Sequence, residues 1–336
     1  MTDDQPTVEV RDLVVEFRRR RRSGVVRAVA GVDLTLARGE TLGIVGESGS
    51  GKTTLVHTIL GLVTPKSGSI AFEGRDITKL SASKRQKIRG QVQVVFQDPF
   101  ASLNPALRVG NSMSEPLLVD GRTKREEVHR RVARMLQQVG LPQDAAYRYP
   151  SQFSGGQCQR IAIGRALLAE PRLLICDEPV SKLDASIQGQ VLNLLNQMKT
   201  EHGFSCLLIS HDLQVVRYMS DRVMVLLNGH TMEVGTSDEV CRAPAHPYSR
   251  LLTKAVPSIR RNGSRAAVPV AVADDDDQKW ASGCPFARRC PHFVESVCAS
   301  APPRLEPNRL GRLVACHRRD EADVLEDYAV PVTIGR

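Results

Sequence analysis

Thr41-Leu42-Gly43-Ile44-Val45-Gly46-Glu47-Ser48-Gly49-Ser50-Gly51-Lys52-Thr53-Thr54 is the stretch on which the fold turns. Its first five residues form a short apolar run, as a strand buried on both faces does, and Lys52 to about Leu62 reads as a helix. Between them, Gly46 to Thr53 fits G-x-x-x-x-G-K-[ST]. The glycines at 46, 49 and 51 accept dihedrals closed to other residues, so backbone N–H groups of Gly46, Glu47, Ser48, Gly49, Ser50 and Gly51 can wrap a β-phosphate. The helix aims its positive end at the same phosphates, Lys52 supplies a point charge, and Thr53, followed by Thr54, can ligate Mg²⁺. Chance produces this pattern in about one chain in a hundred of this length, before the flanking strand and helix are required.

Working outward, Val8, Val10, Val15 and Phe17 alternate, as do Val32, Leu34 and Leu36 before the turn Arg38-Gly39-Glu40, so the chain opens with strands. Residues 91–96, 173–176, 206–209 and 222–227 repeat the buried-strand look, with helical segments near 184–201 and 212–220. Such alternation implies a parallel α/β sheet. Residues 110–150 are charged and helix-favouring, which predicts a helical insertion. From about 258 to 282 come Pro, Ser, Asn and the acidic run Asp274 to Asp277, a linker before a compact Cys- and Pro-rich tail. The domain reading is therefore a nucleotide-binding body over 1–257 with a helical subdomain at about 105–165, a linker at 258–282, and an extension at 283–336. Without an internal repeat, the chain holds one nucleotide-binding unit.

A phosphate loop needs a carboxylate at the end of a nearby buried strand, and Leu173-Leu174-Ile175-Cys176-Asp177 supplies Asp177 for the Mg²⁺ shell. Glu178, one residue further, is the natural general base for an attacking water. A paired Asp-Glu is usually surface charge, but four apolar residues before it and Pro179 after it argue against that here. His211 follows the run Leu207 to Ser210, at a sheet edge where ligands collect in open α/β folds.

The 336 residues carry a formal charge of +9, with 25% charged and 41% hydrophobic residues, composition that suits a folded chain with a sizeable core. Charge of this sign suits nucleic acid or an anionic surface, yet aromatics at 4% leave few stacking platforms for single strands. The block Arg18 to Arg22 reads first as a solvated loop, with lipid head groups or a partner as the other readings. No run approaches the roughly 18 to 20 apolar residues of a membrane span, and the start lacks a secretory pattern.

With these pieces in order, the sequence resembles the ABC ATPase family. Phe153-Ser154-Gly155-Gly156-Gln157 matches the family's LSGGQ signature except at its first place. The resemblance also covers the Q-loop at Gln97, the Walker B pair Asp177 and Glu178, the D-loop Ser181-Lys182-Leu183-Asp184, and the switch histidine His211. It implies a P-loop NTPase fold, α/β, with an N-terminal antiparallel β subdomain and a helical signature subdomain. It further implies a head-to-tail dimer in which Ser154, Gly155, Gly156 and Gln157 of one subunit cap ATP on the other. Gln97 then senses the γ-phosphate and joins Thr53 and Asp177 around Mg²⁺, Glu178, His211 and Gln97 serve hydrolysis, and Phe17 is the candidate to stack on adenine, a core-facing role being the alternative.

Val94 to Pro105 and Ala243-Pro244-Ala245-His246-Pro247-Tyr248 look like the oligopeptide/dipeptide importer ATPases, and Gly283-Cys284-Pro285-Phe286 through Val314-Ala315-Cys316-His317 is similar to their C-terminal extension. Two positions depart from the pattern: Lys182 stands where the D-loop usually has Ala, and Cys158 where Arg or Lys is common.

Eight cysteines divide into scattered Cys158, Cys176, Cys206 and Cys241 and a tail group, Cys284, Cys290, Cys298 and Cys316. The tail spacing is not the C-x₂-C grammar of most structural zinc sites. Four thiols in a Pro-rich tail with little core suggest an organising metal: a [4Fe–4S] cluster, as some members of the resembled subfamily carry, Zn²⁺ with His292 or His317, or unligated thiols.

The expectation is an ATP-hydrolysing motor of an importer for oligopeptides or dipeptides, peripheral at the cytoplasmic face of the inner membrane. Its expected partners are two permease subunits, a second, non-identical ATPase, and indirectly an extracytoplasmic binding protein, with no direct nucleic acid. An importer for glutathione or nickel, or a non-transport ATPase acting on ribosomes or DNA, are the alternatives.

Overall fold

The computed structural model describes residues 5–18, 24–80, 88, 90–118, 124–255 and 283–321. The Arg18–Arg22 block beyond Arg18, the 258–282 linker and the last residues after 321 lie outside the described part.

Two sheets organise the described residues. In the first, β1 (Val8–Arg18), β2 (Val25–Leu36), β4 (Ser67–Phe72) and β5 (Arg75–Asp76) run antiparallel in the order β2-β1-β4-β5. The apolar alternation of β1 changes phase between Val10 and Leu13, where the pairing with β2 slips and Asp12 takes φ 44°. Val8, Val10, Leu13 and Val15 thereby all stay buried.

The second sheet contains β3 (Thr41–Val45), β6 (Val92–Val95), β7 (Leu173–Asp177), β8 (Ser205–Ile209), β9 (Arg222–Leu227), β10 (His230–Thr236), β11 (Glu306–Pro307) and β12 (Leu313–Val314). Their order is β11-β12-β10-β9-β3-β8-β7-β6. The run β9-β3-β8-β7-β6 is parallel, and β3 and β8 are buried throughout, which is why both read as unbroken apolar runs. Helices Ala185–His202 and Leu213–Met219 connect β7 to β8 and β8 to β9, and helix Lys52–Ile59 leads from β3 to β4 of the first sheet. The expected α/β fold with an antiparallel N-terminal sheet is therefore present.

The insertion consists of helices Val109–Leu118 and Arg125–Gln138, followed by helix Gly155–Leu167. Gly164 lets these three approach: a Cβ there would stand 3.0 Å from Met113 and 3.1 Å from Met135. Cys158, read from sequence as a departure at the signature, is fully buried, and its thiol faces the Pro150 carbonyl at 3.5 Å. It belongs to the core that these helices share with the parallel sheet.

The tail does not stand apart from the body. Glu233 pairs with Val314 and Val234 with Leu313, so β12 and β11 extend the ATPase sheet by two short strands. Phe286 and Ala315 join the main core, alongside Tyr248 of the helix Pro247–Ala255. The extension, expected to have little core of its own, packs on the body's core and adds to its sheet edge.

Candidate active site

The phosphate loop crosses from β3 to helix Lys52–Ile59 against the first sheet. Gly51 is the N-cap, at φ 103°, and a Cβ on it would lie 2.3 Å from the Ala28 carbonyl. A Cβ on Gly46 would lie 2.2 Å from the Leu226 carbonyl. Both glycines are thus demanded by close backbone approach. Gly229 closes the other side, donating to the Ser50 carbonyl at 2.9 Å and accepting from the Ala30 N–H at 2.9 Å.

Lys52 is 8% exposed, and its ammonium donates to the carbonyls of Gly46 (2.7 Å) and Glu47 (2.8 Å) and to Ser50 Oγ (3.3 Å). Burial lowers its pKa below the usual lysine range, opposed by the charges of Glu178, Asp177 and Glu47. That opposition places Asp177 and Glu178 within electrostatic reach of the loop. Asp177, at the end of β7, is pushed up by desolvation and then by its neighbour Glu178. Two crowded carboxylates facing one ammonium form a site that favours a further cation, and the hard oxygens of Asp177 and Thr53 suit Mg²⁺.

Glu178 adopts φ 49°, a left-handed conformation costly for a residue with a Cβ. Its backbone N–H is fastened to the Ile209 carbonyl at 2.9 Å. The side chain is held from both sides: Gln97 Nε2 donates to Oε2 at 2.9 Å, and His211 Nδ1 lies 3.0 Å from Oε1. With Glu178 ionised, Nδ1 carries the proton and donates. Three residues separated widely in sequence therefore meet on one carboxylate at the C-terminal edge of the parallel sheet.

Ser154 caps helix Gly155–Leu167 in a capping box: its Oγ accepts from the Gln157 N–H at 3.3 Å, and Gln157 Oε1 accepts from the Ser154 N–H at 3.0 Å. Both are exposed, whereas Gly156 is buried against Ile187, where a Cβ would come within 2.4 Å of Cγ2. Asp184 is the N-cap of helix Ala185–His202, without a side-chain capping bond. Phe17 is 44% exposed near the end of β1, opposite Val26, which removes the core-facing alternative.

Cys284, Cys290, Cys298 and Cys316 line one cavity together with His246, His292 and His317. The donor set suits a soft metal, but the placement does not: the cavity is about 10 Å³, and among the described residues no three His, Cys, Asp or Glu side chains converge as a metal site. Burial raises the Cys284 thiol to about 12 and the Cys316 thiol to about 11 in the metal-free protein. The sequence expectation of a cluster or zinc at these cysteines is not supported by this arrangement.

Sequence reasoning missed three participants. Asp98, beside Gln97, receives the Lys182 ammonium; Tyr248 and Arg289 both touch Glu47. All three lay in stretches that the resemblance covers, but nothing in their local pattern pointed to these contacts.

Comparison with known proteins gives matches along most of the chain. The family model described as "ABC transporter" matches residues 29–181, and that described as "Oligopeptide/dipeptide transporter, C-terminal region" matches 232–298. The oligopeptide transport ATP-binding protein OppF of Salmonella typhimurium is 46% identical over 286 residues, covering 84% of this chain and 85% of that protein. A Brucella ovis protein named for peptide import and ATP binding is 42% identical over 321 residues, covering 94% and 98%. Among solved structures, a dimeric ATP-binding cassette in a post-hydrolysis state bound to ADP and Pi superposes with TM-score 0.62 at 28% identity, covering 68% of this chain and 98% of that one. The cbiO1 protein of Clostridium perfringens, part of an ABC transporter complex, gives TM-score 0.63 at 30% identity, covering 70% and 90%.

Proposed function

The chain belongs to the ABC transporter ATP-binding proteins, and from that premise we propose that it is the ATP-hydrolysing motor subunit of an oligopeptide importer. The observation that carries the ATPase reading is the Glu178 carboxylate, oriented by Gln97 and His211 within electrostatic reach of Lys52. The cargo class rests on the 42–46% identical relatives and on the match over 232–298.

In this reading the loop of residues 46–51 and the Lys52 ammonium hold the triphosphate, with Thr53 and Thr54 at the helix start and the Glu47 N–H engaged by the Tyr248 hydroxyl. Thr53, Gln97 and Asp177 would hold Mg²⁺, which neutralises charge on the phosphate oxygens. Glu178 accepts the proton of the attacking water; its double hydrogen bonding supports that role because it fixes both carboxylate oxygens. His211 steadies Glu178 and faces the γ-phosphate, and Phe17 offers its exposed ring to adenine. Ser154, Gly155, Gly156 and Gln157 act on a partner's nucleotide; their support is an exposed, capped helix N-terminus suited to an anion. Asp184 closes the same interface.

No helix among the described residues is long and apolar enough to cross a membrane; the likeness to OppF supports association through permease subunits. A second ATPase subunit completes the motor, and the solute-binding protein acts at a distance. The iron–sulfur reading of the extension has one support, four thiols on a common cavity. Iron and acid-labile sulfide assays on anaerobically purified protein decide it, and zero of both removes it.

Glu178→Gln is the test of the whole reading. The variant should bind ATP, dimerise on it and lose turnover. Unchanged hydrolysis removes the role of Glu178, and a nucleotide-loaded variant that stays monomeric removes the arrangement in trans.

A further inference from the structure

Glu47, the second residue of the phosphate loop, is gripped from the far end of the chain. Nη1 of Arg289 lies 3.0 Å and 3.2 Å from its two carboxylate oxygens, 242 residues away in sequence. The Glu47 backbone N–H donates to the Tyr248 hydroxyl at 3.0 Å. The Arg289 guanidinium carbon is 5.6 Å from the Tyr248 ring centroid and 5.3 Å from that of Phe286, and those two rings pack at 5.4 Å. Tyr248 and Phe286 are 0% and 2% exposed, so the arginine rests on a fixed aromatic floor.

The placement has an electrostatic consequence. An acidic side chain beside a polyphosphate repels it, and a guanidinium on that carboxylate cancels the repulsion. It has a geometric one as well, since the Glu47 carbonyl is one of the acceptors that hold the Lys52 ammonium. Fixing Glu47 on both its backbone and its side chain therefore fixes the loop that must receive the phosphates.

We propose that Arg289 and Tyr248 are positioning residues for the phosphate loop, so that the C-terminal extension presets this subunit's nucleotide affinity. The clamp rests on the reading of residues 46–54 as the nucleotide site. It acts before hydrolysis, on binding, because neither residue touches Glu178 or its hydrogen-bond partners Gln97 and His211 in the described contacts. The extension is thus an allosteric handle on ATP binding, located between Cys284 and Cys290.

The experiment measures fluorescent-nucleotide Kd, KM and kcat on the full chain, with thermal melting recorded for each variant. Arg289→Gln should weaken Kd and raise KM roughly three- to tenfold, with kcat within about twofold, the pair being partly exposed. Arg289→Lys, which restores a cation on Glu47, should recover most of the loss. Arg319→Gln breaks an ion pair with Glu306 elsewhere in the extension and should leave Kd unchanged. Wild-type affinity in Arg289→Gln overturns the proposal, as does an equal loss in Arg319→Gln accompanied by lower melting, which marks general destabilisation. If the unmodified chain binds no nucleotide, the underlying site assignment falls and the clamp falls with it.

Discussion

The Lys182 ammonium meets the Asp98 carboxylate at 2.6 Å, tying the loop after Glu178 to the loop after Gln97. Asp98 is also the N-cap of the short helix Pro99–Ser102, accepting from Phe100 and Ala101 N–H groups, and the Lys182 bond first and these caps next hold its carboxyl below the usual range. Both loops flank the Gln97–Glu178 hydrogen bond, so the pair bridges the two segments that carry Gln97 and Glu178.

Lys182→Ala should therefore raise steady-state ATP turnover, by roughly two- to threefold if loop release limits the cycle and the exposed pair contributes as such pairs do. Turnover by coupled phosphate release measures it. Equal rates in both proteins refute a restraining role. The folded carboxyl of Asp98 is depressed, so the tie persists above the ordinary Asp value and is lost only as pH falls through the lowered one; the difference between variant and parent should stay constant across neutral pH.

How much of this was legible in the sequence follows from how each signal is encoded. β3, β7 and β8 were readable because a strand buried on both faces needs consecutive apolar residues, and Asp177, Glu178 and His211 were readable as the polar residues that end such runs. The helical insertion showed its charged, helix-favouring character. What was hidden depends on distance along the chain. β11 and β12 are two residues each and carry no periodicity, and their pairing with β10 is a tertiary fact. The Arg289–Glu47 contact spans 242 residues, and an arginine beside a cysteine reads as ordinary surface charge. Cys158 looked like a departure at the signature because sequence position alone does not say that it faces the core.

Arg312 is the latch of the extension. Its Nη2 donates to Glu233 Oε1 at 3.1 Å and to the Glu239 carbonyl at 2.9 Å, with Glu233 1% exposed. Glu233 also accepts from the Ala245 and His246 N–H groups, at 2.7 Å and 2.9 Å, which orders the segment leading into Tyr248. Arg312→Gln strands a buried carboxylate and should cost about 3 kcal/mol in urea denaturation. Glu233→Gln added to it should cost less than the sum of the two single changes, since the stranded charge is then gone. A single-variant loss under about 0.5 kcal/mol shows that the latch does not hold the fold.

The last expectation concerns protons at Lys52. In the protein without nucleotide, burial holds its pKa below the ordinary lysine value, with Glu178, Asp177 and Glu47 pulling the other way. A bound triphosphate sets several negative charges against the ammonium and must raise that pKa. The bound form therefore holds more protons than the free form between the two values, and affinity must fall as pH rises through the lower one. Titration calorimetry at alkaline pH in buffers of different ionisation enthalpy should register proton uptake on binding, because the phosphates themselves are fully ionised there. Replacing Lys52 by Met should abolish the uptake along with most of the affinity. Binding of ATP to the parent protein with no buffer-dependent heat would place the ammonium outside the phosphate contacts.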